Sequence, residues 1–321
     1  MMNVTMSKGC WIRSSDATRW DELLASRNAH PLQSALWGDS RQETDGIEDL
    51  RLEHRMPDGS IDGLARIETR WIPVLGKLAW LPKVAGLTAD LQKSLRAELK
   101  RQGFIACISD MYRASDANAP ARPRTIWLDL TLGLETLSGN LDPQWRYGAR
   151  RAVREGVAVS TTTEPVKARR FFQMCEKLSR NKGFALPGSE ALMTRLICAN
   201  APSSGVEMRL YVGEIGGELA GGAAVARCGR HLHYFWGASD RRFSKYRVSE
   251  AIQWQIMQDG VASGMVRYDL EGIDPEGNPG VCTFKRKMGG REVTLQGMET
   301  TPLNWAGRVA VAVGRSLGRL A

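Results

Sequence analysis

Residues 206–237, VEMRLYVGEIGGELAGGAAVARCGRHLHYFWG, read as three strands in close succession. Val206–Glu214, Glu218–Ala226 and His231–Gly237 are the runs, and Gly216–Gly217 and Gly229–Arg230 separate them. Such spacers suit antiparallel hairpins, because glycine supplies the backbone angles that a tight turn requires. Outward from this core, Pro143–Glu155 and Pro165–Lys182 read as basic helices and Ser189–Ala199 as a shorter one. Downstream, Val248–Gly260 carries Ile252, Gln255 and Ile256 near one face and closes in glycine, as a helix does. Met265–Leu270 and Arg291–Gly297 read as further strands. The first part of the chain is mixed in the same style. Leu64–Ile72 and Lys77–Leu81 are strands about a turn at Pro73–Gly76, and Ala89–Gln102 is a helix with Leu91, Leu95 and Leu99 four apart. Gly103 stops that helix, Phe104–Ile108 is the next strand, and a loop over Asp116–Arg124 leads to the strand Thr125–Leu130. The fold class is α+β.

The chain has 321 residues, 43% hydrophobic and 25% charged, the balance of an ordinary globular protein with room for two cores. No run of about 18 apolar residues is present, so no membrane-spanning helix is expected. Met1 to Trp11 lacks the apolar centre of a signal peptide, and a cytoplasmic location is expected. Six cysteines lie scattered without a CxxC pair, reading as small buried apolar residues rather than metal ligands or disulfides. His231 and His233 share one strand face, a pair that can bind metal, but no partner at zinc spacing is nearby, and His30 and His54 stand alone; no metal is expected. Neither GxGxxG nor a Walker A loop is present, nor GxSxG or HExxH. Net charge is +9, unevenly spread: residues 1–130 hold 18 basic and 17 acidic side chains, residues 131–321 hold 26 and 18. Such asymmetry favours an anionic partner.

The order helix, helix, three antiparallel strands, helix, strand, loop, strand resembles an acyl-CoA N-acyltransferase-type (GNAT-like) domain, and the first half resembles a degraded copy of it. Two tandem domains are expected, 1–130 and 131–321, the second basic and carrying the C-terminal helix, with mostly antiparallel sheets flanked by helices. Five ordered segments also resemble the Fem family of peptidoglycan-bridge aminoacyltransferases. These are Leu32-Gln33-Ser34 with Trp37-Gly38; Leu78 to Lys83; the arginine run from Arg146 to Gly156; Tyr234 to Ser239; and Tyr268-Asp269-Leu270 through Phe284-Lys285. The resemblance implies a first domain on the acceptor side, a second on the donor side, and transfer of an aminoacyl group from aminoacyl-tRNA to an amine, on a peptidoglycan precursor or a peptide natural product. It implies no cofactor beyond that co-substrate. The long coiled-coil arm of many members has no counterpart here.

Matching the family's Phe-Lys motif, Lys285 would steady the oxyanion of ester aminolysis or hold the tRNA terminus, with Phe284 packed beside it. Asp269 would orient the attacking ammonium or accept its proton. Arg41, where the family often places a phosphate-contacting Lys, and Lys83 would serve substrate binding, or stand as solvated residues. Tyr234, Trp236 and Tyr268 would stack on substrate, or belong to the core. Arg146, Arg150 and Arg154 lie along one helix face with Arg151 beside them, a stripe that suits an RNA backbone or diphosphate. Arg241, Arg242, Lys245 and Arg247 crowd a helix start, while Arg286 and Lys287 suit phosphates. The stretch Arg241–Arg247 has no glycine, whereas acetyl-CoA enzymes of this fold cradle pyrophosphate with a glycine-containing loop at this place. That pattern favours a larger polyanion. An acyl-CoA donor is the alternative, in polysaccharide or envelope biosynthesis, and a catalytically silent RNA-binding protein is a second. In one departure, Ala185-Leu186-Pro187-Gly188 follows Gly183-Phe184, with no Tyr through Asn200 where peptide-stem binders carry an Arg and a Tyr. Trp305–Leu320 reads as a helix that packs as a terminal element or rests on an anionic bilayer at the inner face of the membrane.

Overall fold

A computed structural model describes residues 9–115, 122–183, 185–199 and 204–316. The expected loop over 116–124 and the helix to Leu320 run partly outside them, as do Phe184 and Asn200. The chain forms two compact units, one of Met1–Leu24, Leu32–Ala114 and Gln296–Ala321, the other of Ala25–Pro31 and Ser115–Leu295. This replaces the single cut expected near residue 130.

In the first unit, β1 (Cys10–Arg13), α1 (Ala17–Ser26), α2 (Ala35–Asp45), β2 (Glu48–Arg55), β3 (Ile61–Ile72), β4 (Gly76–Val84), α3 (Ala89–Arg101) and β5 (Phe104–Ala114) follow in order. The strands lie side by side as β1-β2-β3-β4-β5. The first four are antiparallel; β4 and β5 run parallel, joined by α3 as a parallel pair requires. Thr88 caps α3, whose Leu91, Leu95 and Leu99 are buried against the sheet as their spacing predicts. Gln33 ties β3 to β4: its amide donates to the carbonyls of Arg66 and Pro82 and its oxygen accepts from the Arg66 amide. Gly38 leaves room for the buried Arg66–Asp49 ion pair, which a Cβ there would approach within 2.5 Å. Packing therefore accounts for Gln33 and Gly38.

The second unit contains β6 (Arg124–Asp129), α4 (Gly133–Asn140), α5 (Pro143–Arg154), β7 (Ala158–Thr162), α6 (Pro165–Lys182), α7 (Glu190–Cys198), β8 (Val206–Ile215), β9 (Glu218–Cys228), β10 (His231–Ser239), α8 (Val248–Ala262), β11 (Arg267–Asp269), α9 (Pro279–Arg286) and, as far as Leu295, the start of β12 (Arg291–Pro302). Its strand order is β12-β6-β11-β10-β9-β8-β7. Paired residues 206–228, 207–227 and 208–226, then 231–228 and 232–227, realise the two hairpins expected from the glycine spacers. β10 and β11 are the parallel pair, and they match over only three residues, His231–His233 with Arg267–Asp269. Beyond that point the pairing ends, β10 bulges between Tyr234 and Trp236, and polar groups gather where the ladder stops. The core joins α5 and α8 to the sheet through Trp145, Ala149, Ala152, Ile252 and Ile256. Finally, α10 (Trp305–Ser316) belongs to the first unit, not the second as expected, because Ala306 and Ala310 pack on Ile105 with Ile72, Leu75 and Leu78.

Candidate active site

Lys285 lies on the inner side of α9, whose Pro279 sits in the first turn where a missing N–H costs nothing. Its side chain is only 6% exposed. The ammonium donates to the Gly272 carbonyl at 2.8 Å and reaches the Glu271 carbonyl at 3.4 Å, and it stands 5.6 Å from the Tyr234 ring centre. Burial pushes its pKa down to about 8, against the attraction of Glu271 and Asp269. At neutral pH this group still carries its proton in a water-poor setting, where a charge acts far more strongly than in water.

A pocket of about 190 Å³ opens beside it, lined by Tyr234, Trp236 and Gly237 of β10, Cys175 of α6, and Val281 and Lys285 of α9. Trp236 donates to the Pro187 carbonyl at 3.1 Å, which fixes its ring. Gly237 is required: a Cβ there would stand 1.7 Å from the Tyr234 hydroxyl. Burial pushes the Cys175 thiol up to about 12, so the sulfur in the pocket is a neutral thiol and no nucleophile.

Behind Lys285 lies a cluster that sequence reasoning missed. Glu271 has a left-handed backbone (φ 59°), uncommon for a residue with a Cβ. Its amide donates to Asp269 Oδ1 at 2.8 Å, and its Oε1 lies 2.9 Å from His30 Nε2 and 2.8 Å from His233 Nδ1. Both histidines are fully buried; the Glu271 side chain is 21% exposed. Burial opposes the carboxylate charge, yet the His30 charge and the hydrogen bonds of both imidazoles hold Glu271 well below the usual carboxylate range. Among the described residues this is the one group of three whose donor atoms converge as metal ligands do, within 4.8 Å of one another. Here both ring nitrogens address a single carboxylate oxygen, so that oxygen, not a shared vacant point, is the centre of the cluster. The trio thus fixes the Glu271 side chain while the carbonyls of Glu271 and Gly272 hold Lys285. No periodicity could have linked His30 to His233, since 203 positions of chain separate them.

The other expected site residues fall elsewhere. Asp269 is fully buried, and its carboxylate accepts from the Thr125 hydroxyl, from Trp127 Nε1 at 2.9 Å and from the Glu271 amide. Three donors on a sealed carboxylate describe a structural hub, which corrects the proton-accepting role expected of it. Tyr268 is also sealed in the core, its hydroxyl bonded to Gln253 Oε1 at 2.8 Å, so it does not stack on substrate. Phe284 packs on Trp145, ring centres 6.0 Å apart. In the first unit Arg41 pairs with Asp45 at 2.7 Å and Lys83 with Asp110 at 3.1 Å. On α5 the buried face is Trp145, Gly148, Ala149 and Ala152. Arg150 and Arg154 are exposed, while Arg146 donates to the Ser138 carbonyl and Arg151 pairs with Glu155. Residues Arg241–Tyr246 form a 3-10 turn before α8, with Arg241 and Lys245 exposed, Arg242 paired with Asp240 and Arg247 with Glu250. Arg286 pairs with Glu292 at 2.6 Å and Lys287 with Asp142 at 3.5 Å. Of these cations, Arg150, Arg154, Arg241 and Lys245 are exposed and form no ion pair among the described residues.

Residues 143–286, most of the second unit, match the family described as acetyltransferase (GNAT) domain. No curated protein matches the chain. Among solved structures, one titled crystal structure of FemX superposes with a TM-score of 0.74 at 13% identity, covering 94% of this chain and 99% of its own. L-PGS from Bacillus licheniformis gives 0.57 at 14%, covering 95% and 98%. A tandem GNAT protein from the clavulanic acid biosynthesis pathway gives 0.52 at 11%, covering 92% and 99%. The fold is that of a tandem GNAT-type protein, Fem-like in plan, as the sequence resemblance implied. The match over 143–286 supports an acyltransferase role for that part of the chain.

Proposed function

We propose that the chain forms an amide bond by moving an aminoacyl group from aminoacyl-tRNA to an amine acceptor, a peptidoglycan precursor or a peptide natural-product intermediate. The observation that carries this reading is Lys285, a buried ammonium at the wall of an aromatic-lined pocket, held by two backbone carbonyls. In the reaction the acceptor nitrogen attacks the ester carbonyl carbon and a C–N bond forms. The carbonyl oxygen gains negative charge, which the Lys285 ammonium stabilises more than it stabilises the neutral ester. Collapse breaks the ester C–O bond; the proton lost by nitrogen ends on the leaving ribose oxygen. Gly272, Glu271 and the two histidines keep the ammonium in place, so little reorganisation accompanies charge development.

The tRNA donor is supported by the glycine-free turn Arg241–Tyr246 and by the exposed arginines of α5, which offer side-chain rather than backbone contacts to a polyanion. Charged tRNA is cytoplasmic, and no described helix is long and apolar enough to cross a membrane. Incubation with radiolabelled aminoacyl-tRNA and candidate amines tests the proposal: label should move to the amine, and Lys285→Ala should abolish transfer while leaving tRNA affinity intact. Consumption of acyl-CoA with charged tRNA untouched would overturn it. That second reading, an acyl-CoA-dependent N-acyltransferase, is favoured by the GNAT-domain match over 143–286; it requires CoA to raise the melting temperature.

A further inference from the structure

Helix α10 presents its residues the wrong way round for a packed surface helix. Its small residues Ala306, Gly307 and Ala310 face inward, and Gly307 lies so close to β5 that a Cβ would stand 1.8 Å from the Ile105 carbonyl oxygen. Of its large apolar residues only Val311 is buried with them; Trp305 is 76% exposed, and Val309 and Val313, one and two turns on, are exposed beside it. The turn between β3 and β4 does the same. Trp71 is 70% exposed and Val74, with a left-handed backbone, is fully exposed, while Ile72 and Leu75 pack into the cluster of Ile105, Ala306 and Ala310 that anchors α10. Turn and helix therefore share one anchor and together expose two tryptophans and three valines. Arg308 and Arg315 flank the helix stripe, exposed and without an ion pair among the described residues, and α10 contains no acidic residue.

We propose that this face of the first unit docks onto an anionic lipid bilayer, with α10 lying in the interface. Exposed tryptophans with a cationic border match the headgroup region, where an indole finds both an apolar and a wet environment. A second copy of the chain fits less well. In a two-fold contact the same patch meets itself, so Arg308 and Arg315 would approach their own like charges. An anionic surface neutralises them instead.

Co-sedimentation of the full chain with vesicles tests the proposal, comparing phosphatidylcholine containing phosphatidylglycerol with phosphatidylcholine alone. The wild type should bind the anionic vesicles and release with salt. Substituting Arg308→Gln and Arg315→Gln should weaken that binding by about fivefold for each arginine and leave neutral vesicles unaffected. The set Trp71→Ser, Val74→Ser, Trp305→Ser, Val309→Ser and Val313→Ser should weaken it by more than about tenfold. Circular-dichroism melts check that these variants stay folded. The arginine pair, without an ion pair among the described residues, reads out even if the serine set unfolds. Three results would overturn the proposal: wild type left in the supernatant at low salt, binding that neither set changes, or a wild-type dimer that the substitutions convert to monomer.

Discussion

Replacing Lys285 by methionine should cost the protein its activity and change how its stability depends on pH. An exposed lysine titrates near 10.5, and burial brings Lys285 to about 8. The unfolded chain therefore holds this proton more tightly than the folded one, and below about pH 8, where both are protonated, folding around the charge costs about 3 kcal/mol. Between about pH 8 and 10.5 the folded protein has released the proton while the unfolded chain keeps it. Wild-type stability should accordingly gain about 1.4 kcal/mol per pH unit from this group across the window. Methionine titrates nowhere, so Lys285→Met lacks that rise. Its net effect at neutral pH is smaller than the charge term, because the Gly272 and Glu271 carbonyls lose their donor at about 1–3 kcal/mol. The comparison that matters is the pH dependence, in which such constant terms cancel. Urea midpoints of both proteins, followed from about pH 7 to about pH 10, give it directly. Parallel profiles would refute the reasoning, since they would mean that the ammonium sits in an environment no drier than water.

Turnover should fall as pH rises through about 8, because a neutral Lys285 cannot steady an oxyanion; in Lys285→Arg any residual activity should lose that descending limb, measurable as initial rates across the range. Gly237→Ala should displace the Tyr234 hydroxyl, 1.7 Å from the new Cβ, lowering stability by about 1–3 kcal/mol in thermal melts and narrowing the pocket enough to raise KM. Glu271, held below its ordinary value near 4.5, supplies stability that is complete above that value and is lost as pH falls; Glu271→Gln should flatten this part of the acid limb in urea unfolding and reduce turnover without removing Lys285.

The strands of 206–239 were legible because their pattern is local: glycine spacers and apolar runs alone set the hairpins, which form where expected. The segments that escaped reading fail for identifiable reasons. β2, EDLRLEHR, carries six ionisable side chains in eight residues, yet His54 and Glu53 are buried inside its ladder, where a hydrogen bond between His54 and Asp62 and ion pairs of Glu53 with Arg19 and Arg55 stand in for apolar packing. α9 follows a Pro/Gly-rich stretch that reads as continuing loop, although Pro279 starts the helix rather than breaking it. Lys285 was found through the Phe-Lys resemblance; its burial depends on α9 and could not be read without it. Asp269 reads as an acid among apolar neighbours, open to a chemical or a structural role, and the donors that make it structural, Thr125 and Trp127, lie more than 140 positions away in sequence.

His30 shows how far the site depends on chain topology. The segment Ala25–Pro31 belongs to the second unit although most of its neighbours in sequence build the first. Asn28 accepts from the Arg230 amide at 2.7 Å, in the turn between β9 and β10, and this anchor delivers His30 to Glu271. Gly229 in that turn admits the close approach: a Cβ there would meet the Ala25 carbonyl oxygen at 2.1 Å. The same glycine that closes the hairpin therefore also seats the early segment. A left-handed Glu271 stores local strain, of order 1–3 kcal/mol, that persists only where the surroundings over-determine it. Two buried imidazoles on its side chain and Asp269 on its amide provide that determination. The carbonyls of residues 271 and 272 are thereby fixed before substrate arrives, and Lys285 with them. The Lys285 ammonium on its short helix is held in place with the help of a piece of chain 255 positions earlier, so its setting belongs to the folded unit rather than to the Phe-Lys motif alone.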